Sequence, residues 1–172
     1  MKKLLAIPGS LRDTSSSFKI LYLVRDMLPA DIEFEIYTGI GNLPHFNDPV
    51  ETPAGVIDFK GKLREADGII ICTPEYAFGV PGSLKNALDW TVGTGELDQK
   101  PVALITASSV GDKGHAALLH ILTALSVRFP EDGSLLIPFI RAKLNPEGKL
   151  MDAEALRGLK KLVASITSMI NG

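Results

Sequence analysis

The sequence predicts an α/β domain wound on both faces of a parallel sheet, and three observations carry that prediction. Short, continuously apolar runs at residues 3–7, 68–73 and 102–107 read as interior strands, because a strand with one wet face alternates instead. Stretches whose apolar residues recur at helical spacing separate these runs, as the crossovers of a parallel sheet require. The third observation is Ile32-Glu-Phe-Glu-Ile-Tyr37, which does alternate and so belongs at a sheet edge with its carboxylates outward.

The first strand, residues 3–7, stops at Pro8-Gly9, and a loop over 9–17 leads into a helix over 18–28. There Ile20, Leu21, Leu23, Val24, Met27 and Leu28 share a face until Pro29 breaks the pattern. The alternating edge strand follows, then a loop rich in Gly, Asn and Pro. Residues 53–66 form an amphipathic helix on Val56, Ile57, Phe59 and Leu63, and 68–73 is the third strand. Pro81 opens a third helix over 81–90, Gly93-Thr-Gly95 reads as a mobile turn, and 102–107 is the fourth strand. Residues 114–129 are expected as one long, unusually apolar helix and 135–140 as the fifth strand. Asn145-Pro-Glu-Gly148 reads as a tight turn, and Asp152 as the N-cap of a closing helix with Leu156, Leu159, Leu162, Val163 and Ile166 on its core face. An edge second strand beside an interior first strand fits the order 2-1-3-4-5, the flavodoxin-like three-layer sandwich. Its ligand crevice opens between the ends of strands one and three. No repeat, low-complexity tract or linker divides the chain, so residues 1–172 read as one domain.

Composition narrows the partners. A chain of 172 residues that is 45% hydrophobic can bury a sizeable core, and a formal net charge of -2 with no basic run offers no footprint for nucleic acid or a membrane surface. The single cysteine, Cys72, excludes an internal disulfide and sits in an expected buried strand, consistent with a reducing compartment and a small core residue. The apolar stretch after Lys2-Lys3 ends at Pro8, too short for a secretory or spanning segment, so the protein is read as cytoplasmic.

Chemistry concentrates in the loops after strands. In the first, Ser10, Thr14, Ser15, Ser16 and Ser17 offer hydroxyls and Arg12 a cationic fork, while the helix that follows presents free N–H groups and its positive dipole end. One hydroxyl suffices to cap a helix; four in succession, Thr14 to Ser17, suggest a phosphate cradle. Neither G-x-G-x-x-G nor G-x-x-x-x-G-K-[ST] occurs, so no dinucleotide fingerprint or NTP-hydrolysing loop is supported. In the loop after the third strand, Tyr76, Phe78 and Val80 stand among turn residues. Either a flat, partly apolar partner covers them or they fold back onto the core.

Gly9-Ser-Leu-Arg12 with Ser15 and Ser17, Thr73-Pro-Glu-Tyr76 running into Val80-Pro-Gly-Ser-Leu-Lys-Asn-Ala-Leu-Asp-Trp90, and Ser108-Ser-Val-Gly111 resemble the NADPH-dependent FMN reductase family. This flavodoxin-like group includes bacterial quinone, chromate and azo-dye reductases. The likeness runs in order over nearly the whole chain. It implies FMN as cofactor, with NADPH or NADH as co-substrate. It also implies a ping-pong transfer of hydride from the nicotinamide C4 through flavin N5 to a small-molecule acceptor, whether quinone-like, azo, metal-oxyanion or free flavin. By the resemblance, Ser10, Arg12, Ser15 and Ser17 hold the FMN phosphate, with Ser16 contributing its N–H. Pro74, Glu75, Tyr76 and Ala77 meet the isoalloxazine, mostly through backbone groups, and Ser108, Ser109 and Gly111 close its far side. No catalytic side chain is assigned, because the hydride step needs no acid or base, and no metal site is expected. Homodimers or homotetramers with the flavin near the interface are also implied. One departure stands out: family members often carry Asn or another polar residue after Glu-Tyr, where this chain has Ala77 and then Phe78. A side-chain hydrogen bond is lost there, and acceptor preference is the property it touches.

Other readings fare worse. A Cys72 phosphatase lacks the Arg that its loop would need within 73–79, and Glu75 has no second carboxylate near it for general acid–base work, so a capping or intersubunit role is expected. His45, His115 and His120 lack metal-ligand spacing. A phospho-acceptor receiver would need clustered Asp where the first strand ends in Ile7-Pro-Gly-Ser10. A flavodoxin-type electron carrier without its own reductase activity is the standing alternative, though such carriers usually offer a strongly acidic docking face. Finally, the helix over 114–129 is apolar around more of its circumference than one sheet contact needs, which suggests self-association.

Overall fold

The computed structural model describes residues 1–172. Its elements in chain order are β1 (Lys2–Pro8), α1 (Ser16–Met27), β2 (Ile32–Ile36), a 3-10 turn (Gly39–Asn42), α2 (Ala54–Glu65), β3 (Gly68–Thr73), α3 (Gly82–Asp89), β4 (Val102–Ala107), α4 (Asp112–Ala124), β5 (Ser134–Ile137), α5 (Ile140–Lys143) and α6 (Ala153–Asn171). The five strands pair in parallel in the order β2-β1-β3-β4-β5, so the alternating strand does lie at an edge and the apolar β3 at the centre.

Two apolar layers cover the sheet. On one face Leu4, Ala6, Ile70, Cys72, Ala103 and Ile105 pack against Ile20, Leu21 and Val24 of α1 and Leu159, Leu162 and Ile166 of α6. On the other, Leu5, Ile7, Ile69, Ile71, Val102 and Leu104 pack against Val56, Phe59 and Leu63 of α2, Leu84 and Leu88 of α3, and Leu118 and Leu122 of α4. Residues of β3 and β4 are buried on both faces, which is why those strands carry no alternation. The carboxylates of β2 find partners: Glu35 sits 3.2 Å from Lys3 and 2.8 Å from Lys62, and these ion pairs hold its carboxyl below the usual range.

Two boundaries differ from expectation by more than two residues. The helix expected over 114–129 ends at Ala124, because Ser126 adopts a left-handed φ of 57° and closes it with Ser126 N–H donating to Thr123 O and Val127 N–H to Leu122 O. Residues 127–129 instead run beside Lys100 and Pro101, where Val102 N–H donates to Arg128 O at 2.9 Å. The fifth strand stops at Ile137, and Ile140 opens α5 rather than ending the strand. The turn at 145–148 and the Asp152 cap stand as expected, with Gly148 at φ 82° and Asp152 Oδ1 accepting from Ala155 N–H at 2.8 Å.

Candidate functional site

The carboxyl ends of β1, β3 and β4 feed three loops that converge on one cavity. Ser10, Arg12, Ser15, Ser16 and Ser17 line it from the first loop, Pro74, Glu75 and Tyr76 from the second, and Ala107, Ser108 and Ser109 from the third; Ile140 and Arg141 close it from beyond β5. Of the residues that the resemblance assigns to the cofactor, all but Ala77 and Gly111 line it; Thr14 of the hydroxyl run and Phe78 do not. Its volume is about 100 Å³, a size that suits a phosphate group.

The first loop starts at Gly9, whose N–H donates to Cys72 O at 2.8 Å. A Cβ here would fall 2.2 Å from Thr73 Oγ1, so no larger residue lets this loop pass so close to β3. Ser15 N-caps α1 with a long 3.5 Å bond from Phe18 N–H, and the first turn contains no acidic residue. The N–H groups of Ser16 and Ser17 lie in that turn, where the helix itself supplies no acceptor. Ser17 Oγ is buried without a hydrogen-bond partner, although its residue lines the cavity. Arg12 is exposed and forms none of the ion pairs in the protein. A desolvated hydroxyl with no partner, a free guanidinium and an unsatisfied helix end in one small cavity fit an oxyanion, and in particular a phosphate monoester.

The second loop makes a tight hairpin in which Tyr76 and Gly79 exchange N–H···O bonds of 3.0 and 2.9 Å. Its central residues, Ala77 and Phe78, both have positive φ, 48° and 60°, the pattern of a type I′ turn that Asn-Gly would form without strain. The turn leaves Tyr76 49% and Phe78 79% exposed beside the cavity, so they do not fold back onto the core. Val80, by contrast, packs against it. Glu75 acts as a cap: its Oε2 accepts from Gly114 N–H in the first turn of α4 at 2.6 Å.

Ser108 ties the loops together. Its Oγ accepts from Glu75 N–H at 3.2 Å, and its carbonyl accepts from Ile140 N–H at 3.1 Å. Gly111, at φ 94°, turns the third loop into α4, and a Cβ there would press on Leu136, Ser108 and Thr106. Its place is therefore behind the cavity wall. Cys72 is fully buried, which pushes its thiol up to about 12. Such a thiol is no nucleophile at neutral pH. His115 is clasped between Thr106 Oγ1 at 2.8 Å and Ser134 Oγ at 2.9 Å, and burial holds it below the ordinary histidine value.

The remaining anticipated motif residues are architectural. Asn86 and Trp90 on α3 bond Pro44 O at 3.0 and 2.9 Å, and Lys85 pairs with Asp89 at 2.6 Å, so the segment after Pro81 straps the 44–46 loop to the sheet. His45 lies exposed in that loop, outside the cavity. Arg141 escaped the sequence reading; its one signal would have been a lone cation following the last strand of a doubly wound sheet. A larger cleft of about 400 Å³ lies between α3 and α4, lined by Leu88, Val92, Leu97, Ile121, Ala124 and Leu125 among others. It has no comparable set of hydroxyls and free cations, and its Lys85 is already paired.

A parallel sheet in this order, with an oxyanion cradle at the end of β1 and exposed aromatics after β3, defines a flavodoxin-like mononucleotide-binding domain. The model of the NADPH-dependent FMN reductase family matches residues 2–141, and the chain belongs to that family. Among relatives, the NADH:(hydroxy)cinnamate reductase subunit CrdA of Vibrio ruber is 33% identical over 166 residues, covering 92% of this chain and 82% of its own. The quinone reductase of Escherichia coli K12 is 32% identical over 161 residues, covering 86% and 84%. Among solved structures, the flavoenzyme NAD(P)H:(acceptor) oxidoreductase FerB from Paracoccus denitrificans superposes with a TM-score of 0.86 at 26% identity, covering 99% of this chain and 98% of its own. The chain is thus a flavoprotein oxidoreductase of the family whose cofactor is FMN and whose electron donor is a reduced nicotinamide nucleotide.

Proposed function

We propose that this protein passes electrons from NADH or NADPH through bound FMN to a flat or small acceptor such as a quinone, an azo compound, a metal oxyanion or free flavin, by a ping-pong sequence. The carrying observation is the buried, partnerless Ser17 hydroxyl beside the unpaired Arg12 at the start of α1. FMN supplies the two-electron chemistry; the chain's residues bind and orient it. Ser10, Arg12, Ser15 and Ser17 hold the phosphate, with the N–H of Ser16. Pro74, Glu75, Tyr76 and Ala77 border the isoalloxazine, the first three from the cavity wall and Ala77 through the backbone of its turn, and Ser108 and Ser109 close the other side. Gly111 shapes the third loop from behind. No side chain needs to move a proton in the hydride step. With a quinone acceptor the balance is one NAD(P)H, one quinone and one proton from water in, and one NAD(P)+ and one hydroquinone out.

The reading extends to one domain over residues 1–172, working in the cytoplasm as a homodimer or homotetramer. No helix is long and apolar enough to cross a membrane. The test is the visible spectrum of the protein after loading with FMN and desalting, followed by anaerobic addition of NADPH or NADH. Oxidised-flavin bands that bleach promptly establish a reductase and show which nucleotide it prefers. Bands that neither nucleotide bleaches would make the protein an electron carrier, and failure to retain FMN would overturn the cradle.

A further inference from the structure

We infer that Arg141 is a second cationic ligand of the cofactor's phosphate, supplied by the segment after β5 rather than by the loop that defines the cradle. The inference rests on the FMN reading and deepens it. Arg141 lines the same small cavity as Arg12, Ser15 and Ser17, and like Arg12 it has no carboxylate partner.

Its placement follows from the topology. Helix α1 packs on β1, β3 and β4, and Ser16 and Ser17 of its first turn line the same cavity as Ile140 and Arg141 from beyond β5. The chain leaving β5 is fastened there at several points. Phe139 N–H donates to Ser109 O at 3.0 Å and Ile140 N–H to Ser108 O at 3.1 Å. Further on, Lys143 pairs with Asp152 at 3.6 Å, and Gly148 lies against the aliphatic stem of Lys19 in the second turn of α1. Phe139 takes a left-handed φ of 55° with 63% of its surface exposed, so the segment holds a conformation that a free linker would relax. The result is a short, pinned helix that brings Arg141 to the wall of the cavity that Arg12 and Ser17 also line. Two Arg residues without carboxylate partners at one anion-sized cavity call for an anion between them, and a phosphate dianion accepts from both.

The test separates the phosphate from the rest of the cofactor by comparing FMN with riboflavin, which lacks it. Equilibrium binding of both to wild-type protein and to Arg141→Gln is followed by titration calorimetry. The expected result is an FMN affinity about 10- to 100-fold weaker in Arg141→Gln, as for loss of a charged hydrogen bond, with riboflavin affinity unchanged. Arg141→Lys falls between, because it keeps the charge and loses the fork. Lys160→Gln, an exposed charge change on α6, leaves FMN affinity at the wild-type value. Arg141 is itself exposed, so the variants fold, and their melting temperatures confirm it. Equal weakening for FMN and riboflavin, or unchanged FMN affinity in Arg141→Gln, overturns the role of Arg141 while leaving the cradle intact. A wild-type protein that binds FMN no better than riboflavin overturns the phosphate site as a whole.

Discussion

At the scale of single residues, the site stores a cost that its ligand would relieve. Ser17 Oγ is buried with no partner, and an unmet buried hydroxyl typically costs about 1–3 kcal/mol. Ser17→Ala should therefore stabilise the cofactor-free protein by about 1 kcal/mol while weakening FMN binding, two changes of opposite sense in one variant. Thermal melts with and without FMN measure both. A less stable cofactor-free variant with undiminished FMN affinity would mean the hydroxyl serves the core. Residue chemistry of this kind is legible in the sequence where type and place coincide: hydroxyls and an Arg between a strand and a helix read as an oxyanion site. Arg141 was not legible, because a lone Arg in an irregular segment says nothing of direction. What aims it is a set of backbone bonds to Ser108 and Ser109, more than thirty residues earlier in the chain. Ala77 was noticed as an apolar departure, but the strain of a left-handed Ala–Phe turn appears only in the backbone angles.

At the scale of elements, α4 shows why helix ends hide. Its closing motif ordinarily carries Gly at the left-handed position, and here Ser126 occupies it at φ 57°, so an apolar run continuing to Phe129 gave no stop signal. Replacing Ser126 with Gly should relieve roughly 1 kcal/mol of backbone strain and raise the melting temperature; a lower one would show that the serine side chain supports the turn. The other end of the same helix contains His115, held neutral between two hydroxyls with its pKa below the ordinary 6.5. As pH falls through about 6.5 the unfolded chain takes up this proton before the folded one does. The associated stability is therefore complete above that pH and is lost below it, as pH approaches the folded value. The lowered carboxylates Glu35, Asp67 and Asp152 titrate below 4.5, outside this window. Melts from pH 7.5 to 5.0 should fall more steeply for the wild type than for His115→Gln. Parallel curves would remove His115 from the account, and its partial exposure keeps the expected difference small.

At the scale of the molecule, strand order was legible because one alternating strand among continuously apolar ones leaves a single edge assignment, and strand order in turn places the loops that build the site. The surface that α3 and α4 leave uncovered was legible in outline alone. The apolar run predicts one long helix with more apolar surface than a sheet contact needs, whereas the folded chain ends that helix at Ala124 and turns the excess into a cleft. Val92 projects beside it with 64% of its surface exposed, and Ile121, Ala124 and Leu125 line its wall. Of the charges at its rim, Lys85 is bonded to Asp89, so a second copy would not have to desolvate a free cation there. A solvent-facing cleft with these apolar residues on its wall suits the homodimer or homotetramer proposed above. Sedimentation at micromolar concentration should then give a species heavier than 18.5 kDa. Introducing a charge with Ile121→Glu or Val92→Glu should weaken association at least about tenfold, the effect of burying one unpaired charge at an interface, and should leave the FMN phosphate cradle untouched. If the wild type sediments as a monomer, the cleft is not an interface. If association persists unchanged in both variants, the contact lies on another face, and the exposed rim of Leu11, Tyr76, Phe78, Val110 and Phe139 around the cradle becomes the surface to test, since any partner seated there would also help cover the flavin.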